Sequence, residues 1–475
     1  YRGECLRSEG DQRPLEYEVP DGFDTLEWVI AQPWCDARIA MFGDSYLGFT
    51  SLAAAVSGHP ALKAIAPRMI GTDRAVDHGG VFSMELVEWA VNYQMDNRNY
   101  ARRVDWSVVP LCNVIDKTTG RRCPAYERLR ALIVSGQEAA DQAFFGVSNP
   151  RGYLRIPTLH WTGYWDLRAT ACIDDYLDLR SRPDVADLQW LILDAIDHEF
   201  YPVGYDGPPA GLGEAPSDDA IETLLPSYTD AIIDFFDRHV RQSTGTHPPR
   251  VRWHLAHAGW RSAPDWPPPE VKTVKLFLSC LAQAAQGPDG GRLSREHSTN
   301  HDHVNWIHNP SDPVPNNVEN PWSILSNPPD EAHVELRPDV LTFTTEPLVE
   351  RLDVAGPVEV HVKVASQNHS AHLVAKLVDI DESGRGLRVL LGARAVTKKE
   401  YGKLISVSLG HAGYRFRTGH RIRLELAASC FPFFEVHPGT EEDPWTATSR
   451  VPAEMTLLPS VDTALCLLAI ASAES

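Results

Sequence analysis

The stretch of sequence that decides the fold runs from residue 38 to residue 48 and reads Arg38-Ile39-Ala40-Met41-Phe42-Gly43-Asp44-Ser45-Tyr46-Leu47-Gly48. Its first part is a short apolar run typical of a buried strand, and the Ala-rich segment that continues to Gly58 is typical of a helix. The stretch therefore predicts a strand, a sharp turn and a helix in immediate succession.

Ser45 lies between glycines at this turn, which is the pattern of a nucleophile elbow. Small residues allow the backbone to take the strained turn that exposes the oxygen of a nucleophilic serine. The usual spacing is Gly-x-Ser-x-Gly, whereas here Leu47 stands at the place of the second glycine and Gly48 follows one residue later. The alternative is an ordinary strand-to-helix turn, because glycine and serine are common in turns.

Alternating strand and helix patterns surround the turn and predict an α/β fold. Strands are expected over 62–67, 156–161 and 188–193, and helices from residue 23 to before 33, over 169–179 and over 228–241. Such alternation is typical of a parallel sheet with helices on both faces. Between residues 74 and 153 the periodicity is helical, with runs over 84–95 and 126–145. We therefore expect an α/β domain in two parts, 1–73 and 154–247, separated by a helical cap at 74–153.

The pattern changes at the proline-rich stretch 264–269. Short β-type runs separated by Gly, Pro, Asn and Asp follow, over 271–278, 349–352, 358–364, 373–378, 387–391, 422–426 and 455–458. This part of the chain, 248–475, is expected to form a β-sandwich or jelly roll.

Asp166 and His198 stand where a serine nucleophile needs its partners. In α/β-hydrolases the triad follows the chain order Ser, acid, His, each on a loop after a strand, and both residues follow predicted strands. A serine hydroxyl is a weak nucleophile at neutral pH, so His198 would take its proton and Asp166 would hold the imidazole in the right tautomer. Taken singly, Asp166 is also a good helix N-cap and His198 a plausible surface histidine.

Segments throughout the chain resemble the cocaine esterase and X-prolyl dipeptidyl-peptidase (CocE/NonD) family of serine hydrolases. The elbow is similar to the family's Gly-x-Ser-Tyr-x-Gly, which accounts for the position of Gly48, and Gly163-Tyr164-Trp165-Asp166 resembles its acid loop. Further similar segments are Arg2-Gly3 with Ser8-Glu9-Gly10, Trp34-Cys35-Asp36, 62–67, 235–239, 260–267, 312–315, 375–379, 419–422 and 429–432.

The resemblance implies an α/β-hydrolase domain shortened at its N-terminus, with an inserted helical cap and a C-terminal jelly-roll β-sandwich. It implies cleavage of carboxylic esters or acyl amides through an acyl-enzyme, with Ser45 as nucleophile, His198 as base and Asp166 as the orienting acid. Two alternatives stay open: an X-prolyl dipeptidyl-peptidase, which needs a site for a free amino terminus, and a catalytically impaired, hydrolase-like binding protein. The expected partner is a small-molecule ester or acyl substrate, with no cofactor and no metal.

Two loops depart from the family pattern. The histidine loop usually reads Gly-Pro-Trp-x-His, whereas this chain has Asp194-Ala195-Ile196-Asp197-His198. Its two aspartates are rival acids beside the histidine, although residues so close in sequence more often cap a turn. Leu167 and Arg168 stand where members that hydrolyse α-amino acid esters have acidic residues, which favours an anionic or neutral substrate over an ammonium.

Three residues are expected to contact the substrate: Trp89, Trp165 and Arg168. Trp89 on the first cap helix could line an acyl pocket, and it could equally belong to the core of the cap.

The expected oxyanion hole is incomplete. The backbone N–H of Tyr46 is one donor, and the resemblance implies a tyrosine hydroxyl from an earlier loop as the other. Only 44 residues precede Ser45, and a strand, its crossover helix and the elbow strand use about 30 or more of them. We therefore expect the sequence to begin inside the domain.

Composition argues against several classes of function. The chain has 44 Lys and Arg against 64 Asp and Glu, and its net charge of −20 opposes binding to nucleic acid. No apolar run approaches the roughly 18 residues of a membrane span, and the first residues show no charged-then-apolar leader. Eight cysteines without a Cys-x-x-Cys pair are typical of a reducing compartment. We expect a cytoplasmic protein without nucleic-acid or membrane partners. Its chains could form a homo-oligomer.

Four histidines and an aspartate within 12 residues could bind zinc through their side chains: His297, His301, His303 and His308, with Asp302. Their spacing matches no defined zinc motif, so a solvated loop is the expected structure.

Overall fold

The computed structural model describes residues 13–73, 77–93, 104–204, 218–244, 248–297, 302–318 and 320–470. In chain order its helices are α1 (Glu18–Ile30), α2 (Tyr46–Val56), α3 (Glu85–Tyr93), α4 (Val114–Thr119), α5 (Pro124–Val134), α6 (Gln137–Phe145), α7 (Ala169–Arg180), α8 (Asp218–His239) and α9 (Ala332–Glu335). None of these helices combines the length and the apolar composition that crossing a membrane requires.

The strands fall into two groups along the chain. Those up to residue 263 are β1 (Ile39–Asp44), β2 (Leu62–Arg68), β3 (Asp77–His78), β4 (Val81–Phe82), β5 (Thr158–Trp165), β6 (Gln189–Asp197), β7 (Val251–Leu255) and β8 (Gly259–Ala263). Those beyond it are β9 (Val271–Ser279), β10 (Gly291–Ser294), β11 (Val304–His308), β12 (Leu341–Thr344), β13 (Leu352–Ser366), β14 (Ser370–Ile380), β15 (Gly386–Thr397), β16 (Leu404–Phe416), β17 (Arg421–Ala427), β18 (Ala453–Leu458) and β19 (Ala464–Ile470).

A six-stranded sheet forms the α/β part of the described chain, in the order β1-β2-β5-β6-β7-β8. Its strands from β1 to β7 run parallel and β8 is antiparallel to β7. Every residue of β5 is buried, as expected for a strand covered on both faces. Within the described residues β1 pairs with β2 alone. The predicted α/β-hydrolase fold is confirmed.

The sheet continues beyond the boundary that the sequence suggests between residues 247 and 248. β7 pairs with β6 from Leu191 to Leu193, and β8 closes the sheet by pairing with β7. Hydrophobic alternation in two five-residue runs does not reveal which sheet they join, so this membership was missed. The four domain ranges stay predictions.

The segment between β2 and β5 is helical, as expected for a cap. Its helices are α3 to α6, preceded by the short β3–β4 hairpin. The predicted single run over 126–145 is two helices, because Gly136 adopts a φ of 103° at the start of α6. The predicted run over 84–95 begins as α3, and its last two residues lie outside the described residues.

The C-terminal strands form a mostly antiparallel sheet, in the order β11-β18-β13-β19-β9-β10-β12-β17-β14-β15, with β16 paired to β13. Side chains of β13, β14, β16 and β17 share one apolar core, which is the packing of the expected β-sandwich. The run predicted over 358–364 lies within the longer strand β13, whereas only the last residue of the run predicted over 349–352 belongs to it. Five C-terminal strands were not predicted: β10, β11, β12, β16 and β19.

The histidines between residues 297 and 308 that the structure describes do not share one solvated loop. His308 ends β11, is buried, and its Nε2 lies 2.8 Å from the carbonyl oxygen of His437. His297 packs its ring on Phe277 at 3.8 Å between centroids, and His301 lies outside the described residues. In the part of the chain that the structure describes, no three possible metal ligands come together.

Candidate active site

The turn between β1 and α2 has the backbone of a nucleophile elbow. β1 ends at Asp44, α2 begins at Tyr46, and Ser45 between them adopts φ 52° and ψ −117°. Its N–H donates to the carbonyl oxygen of Arg68 on β2 at 2.9 Å. A non-glycine residue at positive φ stores strain that the surrounding structure must hold, and such residues cluster at functional sites.

Two glycines allow this turn because the backbone segments around it are in close contact. A Cβ on Gly48 would lie 2.8 Å from the carbonyl oxygen of Gly43 and 2.7 Å from Cγ2 of Ile70. A Cβ on Gly43 would lie 2.5 Å from Cβ of Leu47. The glycine displaced by one position from the usual elbow spacing therefore sits where α2 packs on the ends of β1 and β2.

Asp166 follows β5 directly and its carboxylate is fully buried. Thr162 Oγ1 donates to one carboxylate oxygen at 2.7 Å, and the N–H of Arg168 donates to the other at 3.2 Å. The N-cap of α7 is Arg168, so Asp166 is not the helix N-cap that the alternative supposed. Its carboxylate instead accepts a bond within the turn that leads into α7, and one of its oxygens also contacts a histidine.

His198 follows β6 directly, and its Nδ1 lies 2.7 Å from Oδ1 of Asp166. Burial lowers the pKa of His198, but the charge and the hydrogen bond of Asp166 outweigh it, so that the pKa is raised above its usual 6.5. The ring of Trp322 lies against the imidazole, with 4.9 Å between the ring centroids. The imidazole is therefore oriented from two sides.

The strand register brings the acid and the histidine together. Gly163 pairs with Asp194 and Trp165 pairs with Asp197, so β6 carries one extra residue between the two pairs. At this bulge the strands approach so closely that a Cβ on Gly163 would lie 2.2 Å from the carbonyl oxygen of Ile196. Asp166 directly follows β5, and His198 directly follows β6.

Ser45, Asp166 and His198 all stand at the carboxyl edge of the same parallel strands. The structure joins Asp166 to His198 by a hydrogen bond, and within the described residues none joins Ser45 Oγ to His198. Catalytic hydrogen bonds of unliganded enzymes often tighten only when the substrate is bound. The arrangement offers a partly exposed hydroxyl and a buried acid–base pair on one edge.

Sequence comparisons identify what the chain is similar to. The profile of the X-Pro dipeptidyl-peptidase (S15 family) matches residues 2–199, and that of the X-Pro dipeptidyl-peptidase C-terminal non-catalytic domain matches residues 244–459. Cocaine esterase of Rhodococcus sp. (strain MB1 Bresler) is 28% identical over 484 residues, which cover 91% of this chain and 80% of the relative. This chain belongs to the CocE/NonD family of hydrolases.

Solved structures confirm the fold of this CocE/NonD hydrolase. An aminopeptidase from a marine sediment archaeon, Thaumarchaeota archaeon, superposes with a TM-score of 0.78 at 19% identity over 99% of this chain and 84% of the other. An α-amino acid ester hydrolase superposes with a TM-score of 0.74 at 23% identity, over the same two shares. The resemblance read from the motifs is thereby confirmed at the level of family and fold.

The three residues expected to contact substrate all have partners inside this CocE/NonD hydrolase. Trp165 is buried and its Nε1 donates to the carbonyl oxygen of Arg388 at 3.0 Å. Trp89 is half-buried against the apolar core that α2 shares with the cap. Arg168 Nη2 donates to Oε1 of Glu85 at 2.8 Å, and the two side chains are 11% and 2% exposed. The positive charge of Arg168 is therefore neutralised by the cap helix α3.

An ion pair between a buried arginine and a partly exposed aspartate lies beside the elbow and was missed from the sequence. Arg68 is buried and donates from Nη2 to Oδ2 of Asp44 at 3.0 Å. Its guanidinium lies 3.6 Å from the ring centroid of Tyr228 on α8, and Tyr228 OH also hydrogen-bonds Asp44. The signal was a charged residue directly before Ser45 and another directly after the buried run 62–67, at paired register positions. The pair fastens the elbow to α8.

We expect Gly48→Ala to lower the free energy of unfolding by about 1–3 kcal/mol, because the added methyl group must displace closely packed backbone. Urea unfolding followed by circular dichroism measures the change. Gly152→Ala is the matched control, since its Cβ would meet one atom at 4.0 Å, and its effect should stay within about 0.5 kcal/mol. Equal midpoints for the two variants would contradict the close packing described for the elbow.

Proposed function

We propose that this chain is a serine hydrolase that cleaves carboxylic esters or acyl amides through an acyl-enzyme. Ser45 is the nucleophile, His198 the general base and Asp166 the residue that orients the imidazole. The observation that carries the proposal is the buried 2.7 Å contact between His198 Nδ1 and Asp166 Oδ1, at the strand edge that also bears Ser45.

The proposed reaction proceeds in two proton-balanced halves. His198 Nδ1–H donates to Asp166, which leaves Nε2 free to take the proton of Ser45 as its Oγ bonds to the substrate carbonyl carbon. The N–H of Tyr46 stabilises the oxyanion that forms. The imidazolium then returns its proton to the leaving alcohol or amine, and the acyl group stays on Ser45. Water repeats the sequence, releases the carboxylic acid and restores the hydroxyl.

The charges around the proposed site favour a neutral acyl group over an anionic one. Arg168 is paired with Glu85, whose carboxylate also interacts with the charges of His198 and Asp166. Burial and the neighbouring Glu85 raise the pKa of Glu88, one turn further along α3, to about 7. Burial also raises the pKa of Glu85. Once both glutamates are ionised, two carboxylates oppose one guanidinium. Of the anionic and neutral substrates that Arg168 left open in the sequence, the anionic one is then disfavoured.

Ester hydrolysis is preferred over peptide hydrolysis, which remains the second candidate. Cocaine esterase, by its name an esterase, is similar over 91% of this chain, whereas the two matching profiles carry the name of an X-Pro dipeptidyl-peptidase. A dipeptidyl-peptidase must bind a free amino terminus, and Glu85, an acid whose charge interacts with those of His198 and Asp166, is already paired with Arg168. That occupation favours esters.

We further propose that the enzyme works in the cytoplasm on small molecules. All seven cysteines within the described ranges lack a disulfide, which suits a reducing compartment. The net charge of −20 repels the phosphate backbone of nucleic acids.

Ser45→Ala is expected to abolish hydrolysis of p-nitrophenyl acetate and labelling by a fluorophosphonate probe, because both require the Ser45 oxygen. The measurement compares p-nitrophenol release and probe fluorescence in the wild type and in Ser45→Ala. Ser57→Ala is the control, since the hydroxyl of this C-cap serine donates to the carbonyl oxygen of Ala54 within the last turn of α2, at 2.6 Å. Labelling that survives Ser45→Ala would rule out Ser45 as nucleophile, and a folded wild type that never labels would favour the binding-protein alternative.

A panel of three substrates tests the preference for neutral esters. At pH 8.5, above the value of about 7 to which the pKa of Glu88 is raised, we expect kcat/KM for p-nitrophenyl butyrate to exceed that for the anionic p-nitrophenyl hemisuccinate by about tenfold or more. The reason is that like charges at a partly buried site repel by about 1–4 kcal/mol. Gly-Pro-p-nitroanilide should be the slowest substrate. Glu88→Gln should reduce the ratio of the kcat/KM values of the two esters, because it removes one of the two carboxylates. Preferred hydrolysis of the dipeptide anilide would instead establish the peptidase alternative.

A further inference from the structure

We propose that Asp197 is a positioning residue for the reaction: its buried carboxylate ties the turn that bears His198 to residues 322–325 of the C-terminal part of the chain. The inference rests on the role proposed for His198. It assigns a function to the aspartate that the sequence offered only as a rival acid.

The turn that bears His198 is built on the Asp197 side chain. The backbone turn closes by a bond from Phe200 N–H to the carbonyl oxygen of Asp197 at 3.2 Å. Oδ1 of Asp197 accepts the N–H groups of Glu199 at 3.1 Å and of Tyr201 at 3.0 Å. Phe200 adopts a φ of 66°, a conformation that the surrounding bonds must hold. His198 therefore sits on a turn whose shape depends on one carboxylate.

The second carboxylate oxygen reaches a segment 128 residues away in sequence. Oδ2 of Asp197 accepts the N–H of the buried Leu325 at 2.8 Å. The same segment accepts a bond from Glu199 N–H at the carbonyl oxygen of Trp322, 3.2 Å away, and packs the Trp322 ring against His198. The turn and the segment 322–325 are thus joined at both sides of the imidazole.

The environment of Asp197 differs from that of the acid three residues earlier. Asp197 is fully buried, and a buried carboxylate is costly unless it is hydrogen-bonded. Its three donors are all backbone N–H groups, and removing the carboxylate leaves them without that acceptor. Asp194, on the same strand, accepts the N–H of its neighbour Ala195 at 2.7 Å and lies 3.6 Å from His254. Within the described part of the chain, these contacts of Asp194 involve neither the turn nor the segment 322–325, which makes it a matched control.

A small displacement of the imidazole is sufficient to slow the reaction. Asp166 fixes the direction of Nδ1, but the distance from Nε2 to Ser45 is set by the backbone on which His198 stands. A misplacement of about 1 Å costs on the order of 100-fold in rate. Asp197 does not contact Ser45, Asp166 or the imidazole by any of its hydrogen bonds, so its effect must pass through the turn.

The test compares wild type, Asp197→Asn and Asp194→Asn on p-nitrophenyl butyrate at pH 8.5. This pH lies above the value of about 7 to which burial raises the pKa of Asp197. The isosteric Asp197→Asn puts an amide N–H against the N–H of Leu325, or loses both Oδ1 bonds if it flips. Fluorophosphonate titration counts competent sites, so that unfolded molecules do not enter the rate. We expect kcat per titrated site to fall about 10- to 100-fold with KM unchanged.

Asp194→Asn should keep kcat per titrated site within about twofold of the wild type, since it leaves every bond of the turn in place. The inference is overturned if Asp197→Asn matches Asp194→Asn in kcat per site, or if it acts only by raising KM or by reducing the number of titratable sites. If the wild-type chain neither reacts with the fluorophosphonate nor hydrolyses the ester, the proposed function itself is rejected. A difference or an equality between the two aspartate variants tests only the role of Asp197.

Discussion

The register of β5 against β6 is the constraint on which the site depends. Trp165 pairs with Asp197 after a bulge that only a glycine at position 163 permits. The residues that directly follow the two strands, Asp166 and His198, therefore lie next to each other. The contact between Asp166 and His198 is the direct result. A slip of the register by one residue would turn the side chains to opposite faces of the sheet and separate the two groups.

The C-terminal part of the chain supports this contact from outside the α/β sheet. Trp165, directly before the acid, donates to Arg388 of β15, and Asp197, directly before the histidine, accepts from Leu325. Both partners lie in the range that matches the profile of a C-terminal non-catalytic domain. Under the proposed mechanism that domain need not touch substrate to influence catalysis, because the two loops that carry the proposed acid and base are bonded to it.

Local patterns were sufficient to predict the fold and to place each candidate residue at the end of a strand. The elbow, the strand before Asp166 and the strand before His198 are each encoded within about ten residues, where periodicity and turn chemistry are informative. Long-range partners were not predictable. Arg168 left both an anionic and a neutral substrate open, because no local pattern indicated that Glu85, 83 residues away, is its partner. The sequence around Asp197 did not indicate its contact with Leu325, because no local periodicity encodes a contact between residues so far apart.

The rate at which a fluorophosphonate phosphonylates Ser45 in Asp166→Asn tests the central claim most directly, with the adduct located by peptide mapping. The account expects phosphonylation to slow by about 10⁴-fold, as loss of the orienting acid slows catalysis in triad enzymes, because an asparagine at this position favours the wrong tautomer of His198. Phosphonylation of Ser45 at the wild-type rate in a folded Asp166→Asn would contradict it, since the buried contact of 2.7 Å would then serve no catalytic purpose.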